Sequence, residues 1–190
     1  MEKVLVINED DINNILTVNG LLTEDTEKVL DVILNKHYFC ERNIAEYCDT
    51  MRQIIPYVVL RKGDEVFLLE RLKKQTEKRL HGMLSIGIGG HINPDSEISE
   101  NPIKHGLYKE LHEEIQISSV NNIKLLGIIN DLSTPVSKYH IGLLYELYTS
   151  DDVYVLETEK MNGRWIKLDQ VKELTECMET WSQIALEYIS

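Results

Sequence analysis

The chain has 190 residues, 43% of them apolar, enough for one domain with an appendage and an ample core. A net charge of −12 excludes a surface built to coat nucleic acid, though not a nucleotide substrate, whose phosphates local cations and bound metal can receive. Cys40, Cys48 and Cys177 have no Cys-x-x-Cys spacing, which argues against zinc and fits free thiols in a reducing cytoplasm. The opening Met1 to Ile7 is too short for a signal peptide, and no apolar run is long enough to span a membrane, so a cytoplasmic location is expected.

In chain order, Val4 to Ile7 reads as a strand, Glu24 to Asn35 as a helix capped by Thr23, and His37 to Arg42 as another strand. Ile54 to Leu60 and Glu65 to Glu70 form a hairpin around Arg61-Lys62-Gly63-Asp64. Arg71 to Lys78 is a charged extended loop. Leu84 to Ile92 is a glycine-laced strand, where glycine suggests close backbone approach. Ile123 to Ile129 and Tyr139 to Tyr148 are long strands, joined by a turn over Asp131 to Lys138. Val153 to Glu157 and Arg164 to Ile166 are shorter strands. Leu168 to Leu174 and Met178 to Ile189 close the chain as helices.

The chemistry concentrates between Asn101 and Gln116. Asn101 is a good N-cap and Pro102 suits the first helical position. Ile103, Leu107, Leu111 and Ile115 make an apolar stripe. Glu110, Glu113 and Glu114 share one face, within an arc of about 100°. Three such carboxylates repel one another unless a hard cation, Mg²⁺ or Mn²⁺, relieves the charge. Gly106, one turn earlier, leaves room for a backbone or ligand. An acidic cluster is by itself more often a solvated helix face than a metal site. The glycine run before it, Ser85 to Ile92, tips the balance.

Together these segments resemble the Nudix hydrolases, whose signature reads G-x5-E-x7-R-E-U-x-E-E-x-G-U, with U aliphatic. Its second half maps onto Lys109 to Ile117, with Lys109 in place of the arginine and Gln116 in place of the glycine. From Gly90 to Glu110 the loop carries five residues more than the signature. The first signature glutamate has no unique counterpart: Glu97 fits better counting from the glycine, and Glu100 counting back from the helix. Gln53 to Leu60, Arg79 to Gly82, Gly127 to Asp131 and Gly163 to Asp169 extend the likeness to a divergent branch of predicted Nudix phosphoesterases.

The resemblance implies a Nudix-type α/β/α sandwich with a mixed sheet over residues 51–190. Residues 1–50 are then an N-terminal α/β extension packed on that core, in one chain or across a homodimer. It implies an Mg²⁺- or Mn²⁺-dependent pyrophosphohydrolase or phosphoesterase acting on a small phosphate compound, with neither a nucleic-acid polymer nor a membrane as partner. Glu110, Glu113 and Glu114 would be metal ligands, joined by a backbone carbonyl at Gly89 or Gly90. Lys109 would take the arginine's organising part, pairing with Glu97 or Glu100. Arg79, His81 and His91 would receive the substrate. Asp131 and Glu157 read as solvated carboxylates, His140 as a core histidine, and Trp165 and Tyr57 as core aromatics. The altered signature leaves a silent nucleotide-binding module as the alternative. A prenyl-diphosphate isomerase ranks below it, because no cysteine lies in a matching motif.

Overall fold

A computed structural model describes residues 1–72, 82–95 and 101–189. Its first half runs β1 (Lys3–Asn8), α1 (Glu9–Ile12), β2 (Gly20–Leu22), α2 (Thr26–Lys36), β3 (Tyr38–Glu41), α3 (Arg42–Ala45), β4 (Met51–Lys62) and β5 (Glu65–Arg71). Next come β6 (Leu84–Ser85), β7 (Gly87–Gly89), α4 (Pro102–Glu114) and β8 (Ile115–Gln116). The chain ends with β9 (Ile123–Asn130), β10 (His140–Tyr148), β11 (Tyr154–Val155), β12 (Met161–Lys167), α5 (Leu168–Lys172) and α6 (Thr180–Ile189). The elements expected from periodicity are present with shifted ends, except that Leu84 to Ile92 forms two short strands and the helix expected to be capped by Thr23 has its N-cap at Asp25. The short α1, β2 and α3 carry too few residues to show a period and were not foreseen. Among the described residues no helix is long and apolar enough to cross a membrane.

The chain forms two compact units. The first comprises residues 1–57, 89–107 and 126–144, and the second residues 58–88, 108–125 and 145–190. In the first, β1 lies between β3 and β4, antiparallel to both, with Val6 opposite Tyr38 on one side and Gln53 on the other. Val4, Leu5, Val6 and Ile7 have no exposed surface. The segment 1–50 is thus woven into strand pairing with residues 51–53. Arg52 is buried too, its guanidinium donating to Asn130 Oδ1 (2.8 Å) and to the His140 carbonyl (2.6 Å).

Gly89 explains why this strand is glycine-laced. A Cβ there would sit 2.4 Å from the Pro56 carbonyl oxygen, a backbone atom that cannot step aside. Gly89→Ala should therefore destabilise the protein by roughly 1–3 kcal/mol, read as a lower urea midpoint, despite its chemical modesty. An unchanged midpoint would show that β4 yields. Gly106 serves a different end from the one expected: a Cβ there would meet the Ile92 side chain at 2.6 Å, so the space is filled by an apolar neighbour.

In the second unit the strand order is β12-β5-β4. The β4–β5 hairpin closes at Lys62↔Glu65, with Gly63 at φ +62° providing the left-handed turn residue. β12 pairs with β5 along its whole length, from Met161↔Arg71 to Lys167↔Glu65. The glycine-laced strand is broken, as β6 pairs with β5 and Ile86 donates its N–H to the Ser182 hydroxyl instead. Trp165, half-buried, packs edge-on against Phe67, 5.2 Å between centroids. Tyr57, in the first unit, is buried, as expected of a core aromatic.

Candidate active site

The acidic helix α4 begins as its sequence dictates. The Asn101 side-chain oxygen accepts the Lys104 N–H at 2.9 Å, an N-cap bond. Ile103, Leu107, Leu111 and Ile115 are all buried, so the stripe fixes the rotation of α4. That rotation leaves Glu113 exposed and Glu114 partly buried. The helix stops at Glu114 without a glycine. Its last carbonyls are capped by a distant segment, since the Leu156 N–H donates to the Glu114 carbonyl at 2.8 Å. β8 then pairs with β11 at Val155↔Ile115 and Tyr154↔Gln116.

This cap brings Glu157 to the acidic helix. The Glu114 carboxyl is pushed up to about 7, chiefly by burial and further by the negative charges of Glu110, Glu157 and Glu179, against the pull of the Arg71 guanidinium. Arg71 ends β5, and its guanidinium lies 3.8 Å from Glu179 Oε2. Glu179 is itself fixed, its N–H donating to the Leu84 carbonyl and its Oε1 accepting the Ser85 hydroxyl at 2.8 Å. The second unit therefore gathers four glutamates and one arginine, of which the helix supplies two. Buried carboxyls titrating near neutrality among specific charged partners are a mark of functional sites.

Sequence reasoning placed Glu110, Glu113 and Glu114 on one face as equals; in the structure the charge of Glu110 acts on the partly buried Glu114, while Glu113 is exposed. It missed Arg71, taken for a loop residue, and Glu179, for which no sequence signal exists. Glu157 was expected to be a solvated carboxylate. It carries an ion pair with Lys160 at 2.5 Å, yet it also acts on Glu114, because the β8–β11 pairing folds its loop inward. Asp131 is buried rather than solvated, accepting hydrogen bonds from the Ser133 N–H and hydroxyl, so its role is to hold a turn. Lys109 lies partly buried on α4. Its expected partners Glu97 and Glu100, and the substrate candidates Arg79 and His81, fall outside the described residues.

Gly90 and His91 belong to the first unit. His91 stacks edge-on with His140, 5.7 Å between centroids, and its buried Nε2 has no hydrogen-bond partner among the described residues. His140 Nδ1 in turn meets the Val136 carbonyl at 2.9 Å. Burial, aided by the nearby Arg42 and His140, pushes the His91 imidazole down to about 3. The folded state thus resists a proton that the unfolded chain accepts near pH 6.5. Stability attributable to His91 is complete above that pH and falls as the pH drops towards 3. Between pH 6.5 and 4 the loss should be on the order of 2 kcal/mol. His91→Phe should flatten this acid limb, as urea midpoints at the two pH values will show; parallel limbs would contradict it.

No protein-family model matches the chain. Over 200 aligned residues it is 36% identical to Protein YmaB of Bacillus subtilis (strain 168), covering 99% of this chain and 97% of the relative. The solved structure of Tm1382, a proposed Nudix hydrolase, superposes with a TM-score of 0.86 at 30% identity, over 99% of this chain and 98% of that one. The chain belongs to the Nudix hydrolases. The Nudix-type α/β/α fold expected from the sequence is the fold it has, and its enzyme class is that of a Nudix hydrolase. The fold extends to a bifunctional NMN adenylyltransferase/ADP ribose pyrophosphatase of Francisella tularensis, solved with AMP and a manganese ion. There the TM-score is 0.52 at 12% identity, over 72% of this chain and 40% of that one.

Proposed function

We propose that this Nudix hydrolase cleaves a diphosphate linkage in a nucleoside diphosphate derivative or related phosphate compound, using Mg²⁺ or Mn²⁺. The observation that carries the reading is the gathering of Glu110, Glu157, Glu179 and the Arg71 guanidinium around the buried carboxyl of Glu114. Oxygen donors of this kind, crowded and repelling, suit a hard divalent cation. Glu110, Glu114 and the solvent-facing Glu113 would hold it. When bound, such an ion neutralises phosphate charge and makes water a better nucleophile.

The chain's own residues do the rest by position and charge. Arg71 restrains Glu179 and offers a cation to phosphate oxygens. Glu157 and Glu179 keep acceptors beside Glu114, where a water or its proton can be held. The backbone bond from Leu156 to Glu114 ties the Glu157 loop to the helix end.

A panel of dinucleoside polyphosphates, nucleotide sugars, ADP-ribose and nucleoside triphosphates tests the reading. Mononucleotide or phosphate should appear with Mg²⁺ or Mn²⁺ and cease with chelator. No turnover of any member with either ion would overturn it. One observation favours the second reading, a silent nucleotide-binding module: among the described residues no three His, Cys, Asp or Glu side chains are gathered into a metal-holding group. A nucleotide that raises Tm, binds Glu113→Gln equally well and is never consumed would establish that reading.

A further inference from the structure

A cleft of about 440 Å³ lies along β12, the outer strand of the second unit's sheet. That volume is within the range of roughly 300–1,000 Å³ for small-molecule sites. Leu68 and Val155 give it apolar walls, while Tyr154, Asn162, Arg164 and Glu70 add polar groups. It shares a wall with the carboxylate cluster. Tyr154, Val155 and Thr158 line the cleft, while between them Leu156 caps α4 and Glu157 acts on Glu114.

The polar groups are laid out by strand register. Asn162 stands opposite Glu70 and Arg164 opposite Leu68, so acid, amide and guanidinium follow one another along one side of the β5–β12 ribbon. Among the described residues neither the Arg164 nor the Glu70 side chain has an ion-pair or hydrogen-bond partner. Glutamate only accepts, arginine only donates, and asparagine does both. A second phosphate would suit Arg164 but meet the charge of Glu70. A neutral heteroaromatic ring with donors on one edge and acceptors on another, as in guanine, satisfies all three groups. The Tyr154 ring, 61% exposed at the rim, offers a face for such a ring to stack on.

We propose that this cleft receives the nucleoside end of the substrate, with Tyr154, Asn162 and Arg164 selecting the base. For the scissile diphosphate the inference rests on the hydrolase reading above, while base recognition itself can be measured without turnover. Calorimetric titration of the full chain with GMP, AMP, UMP and ribose 5-phosphate provides that measurement. At least one nucleotide should bind about tenfold more tightly than ribose 5-phosphate. Asn162→Ala and Arg164→Ala should each lower that ratio several-fold, and Thr158→Trp, which fills the cleft, should abolish it. All three positions are exposed, so Tm should not change. Equal binding of nucleotides and ribose 5-phosphate, or a ratio that survives all three substitutions, would overturn the proposal. Diphosphates hydrolysed without regard to base would refute the cleft's role and leave the hydrolase intact. Base selectivity lost with Arg164, in a protein that hydrolyses nothing, would support the cleft and refute the hydrolase.

Discussion

Glu114→Gln should lower turnover by about two to three orders of magnitude, the scale of losing one preorganised charge contact at a reacting phosphate. It should do so while making the metal-free protein more stable at pH 8. The two effects share a cause. Burial beside Glu110, Glu157 and Glu179 raises the Glu114 carboxyl from 4.5 to about 7. An acid raised by folding contributes stability that is complete below pH 4.5 and lost as the pH climbs through 7. At pH 8 the wild type carries that penalty and the glutamine variant does not. The difference is on the order of 1–3 kcal/mol, or roughly 2–4 °C per kcal/mol in a chain of this size. At pH 4 the two melting temperatures should coincide. A variant of unchanged activity would remove Glu114 from the catalytic set, and one destabilised at pH 8 would show that its carboxylate is satisfied in the fold.

Removing residues 1–48 should abolish cooperative folding. The deletion removes β1 and β3 together and strips the pairing of Val6, Ile7 and Asn8 with β4. It also removes the fully buried side chains Val4 to Ile7, along with Ile12, Val29 and Ile33. Each such apolar side chain contributes about 1.5–3 kcal/mol on burial. At about 2 kcal/mol apiece over seven residues the loss is about 14 kcal/mol, as large as the 5–15 kcal/mol that typically separates folded from unfolded chains. The newly bared edge of β4 would template aggregation. The readouts are soluble yield, Tm, oligomeric state and substrate profile. A truncated protein that matches full length in all four would show that residues 1–48 are dispensable to fold and site alike.

The helix of the site was legible because its information is local. Asn101, the four-residue stripe and the i, i+3, i+4 glutamates all lie within a few turns, and a helix converts such spacing directly into faces. The β4–β5 hairpin was legible for the same reason, with Gly63 in its turn. Burial of Asp131 was not, since its neighbours along the chain read as an ordinary turn.

By itself the sequence determined that Glu110, Glu113 and Glu114 share a face and that this face adjoins the apolar stripe. Only the tertiary structure decided which of them is buried and what surrounds it. Arg71 comes from the end of β5, Glu157 from the loop after β11, and Glu179 from just before α6. They meet Glu114 because β5 pairs with β12, β8 with β11, and β6 with β5. Strand pairing joins residues by backbone hydrogen bonds that are indifferent to separation along the chain. Its partners are chosen by the whole core, so no local pattern announces them. The charge that sets Glu114 apart is thus a property of the assembled sheet.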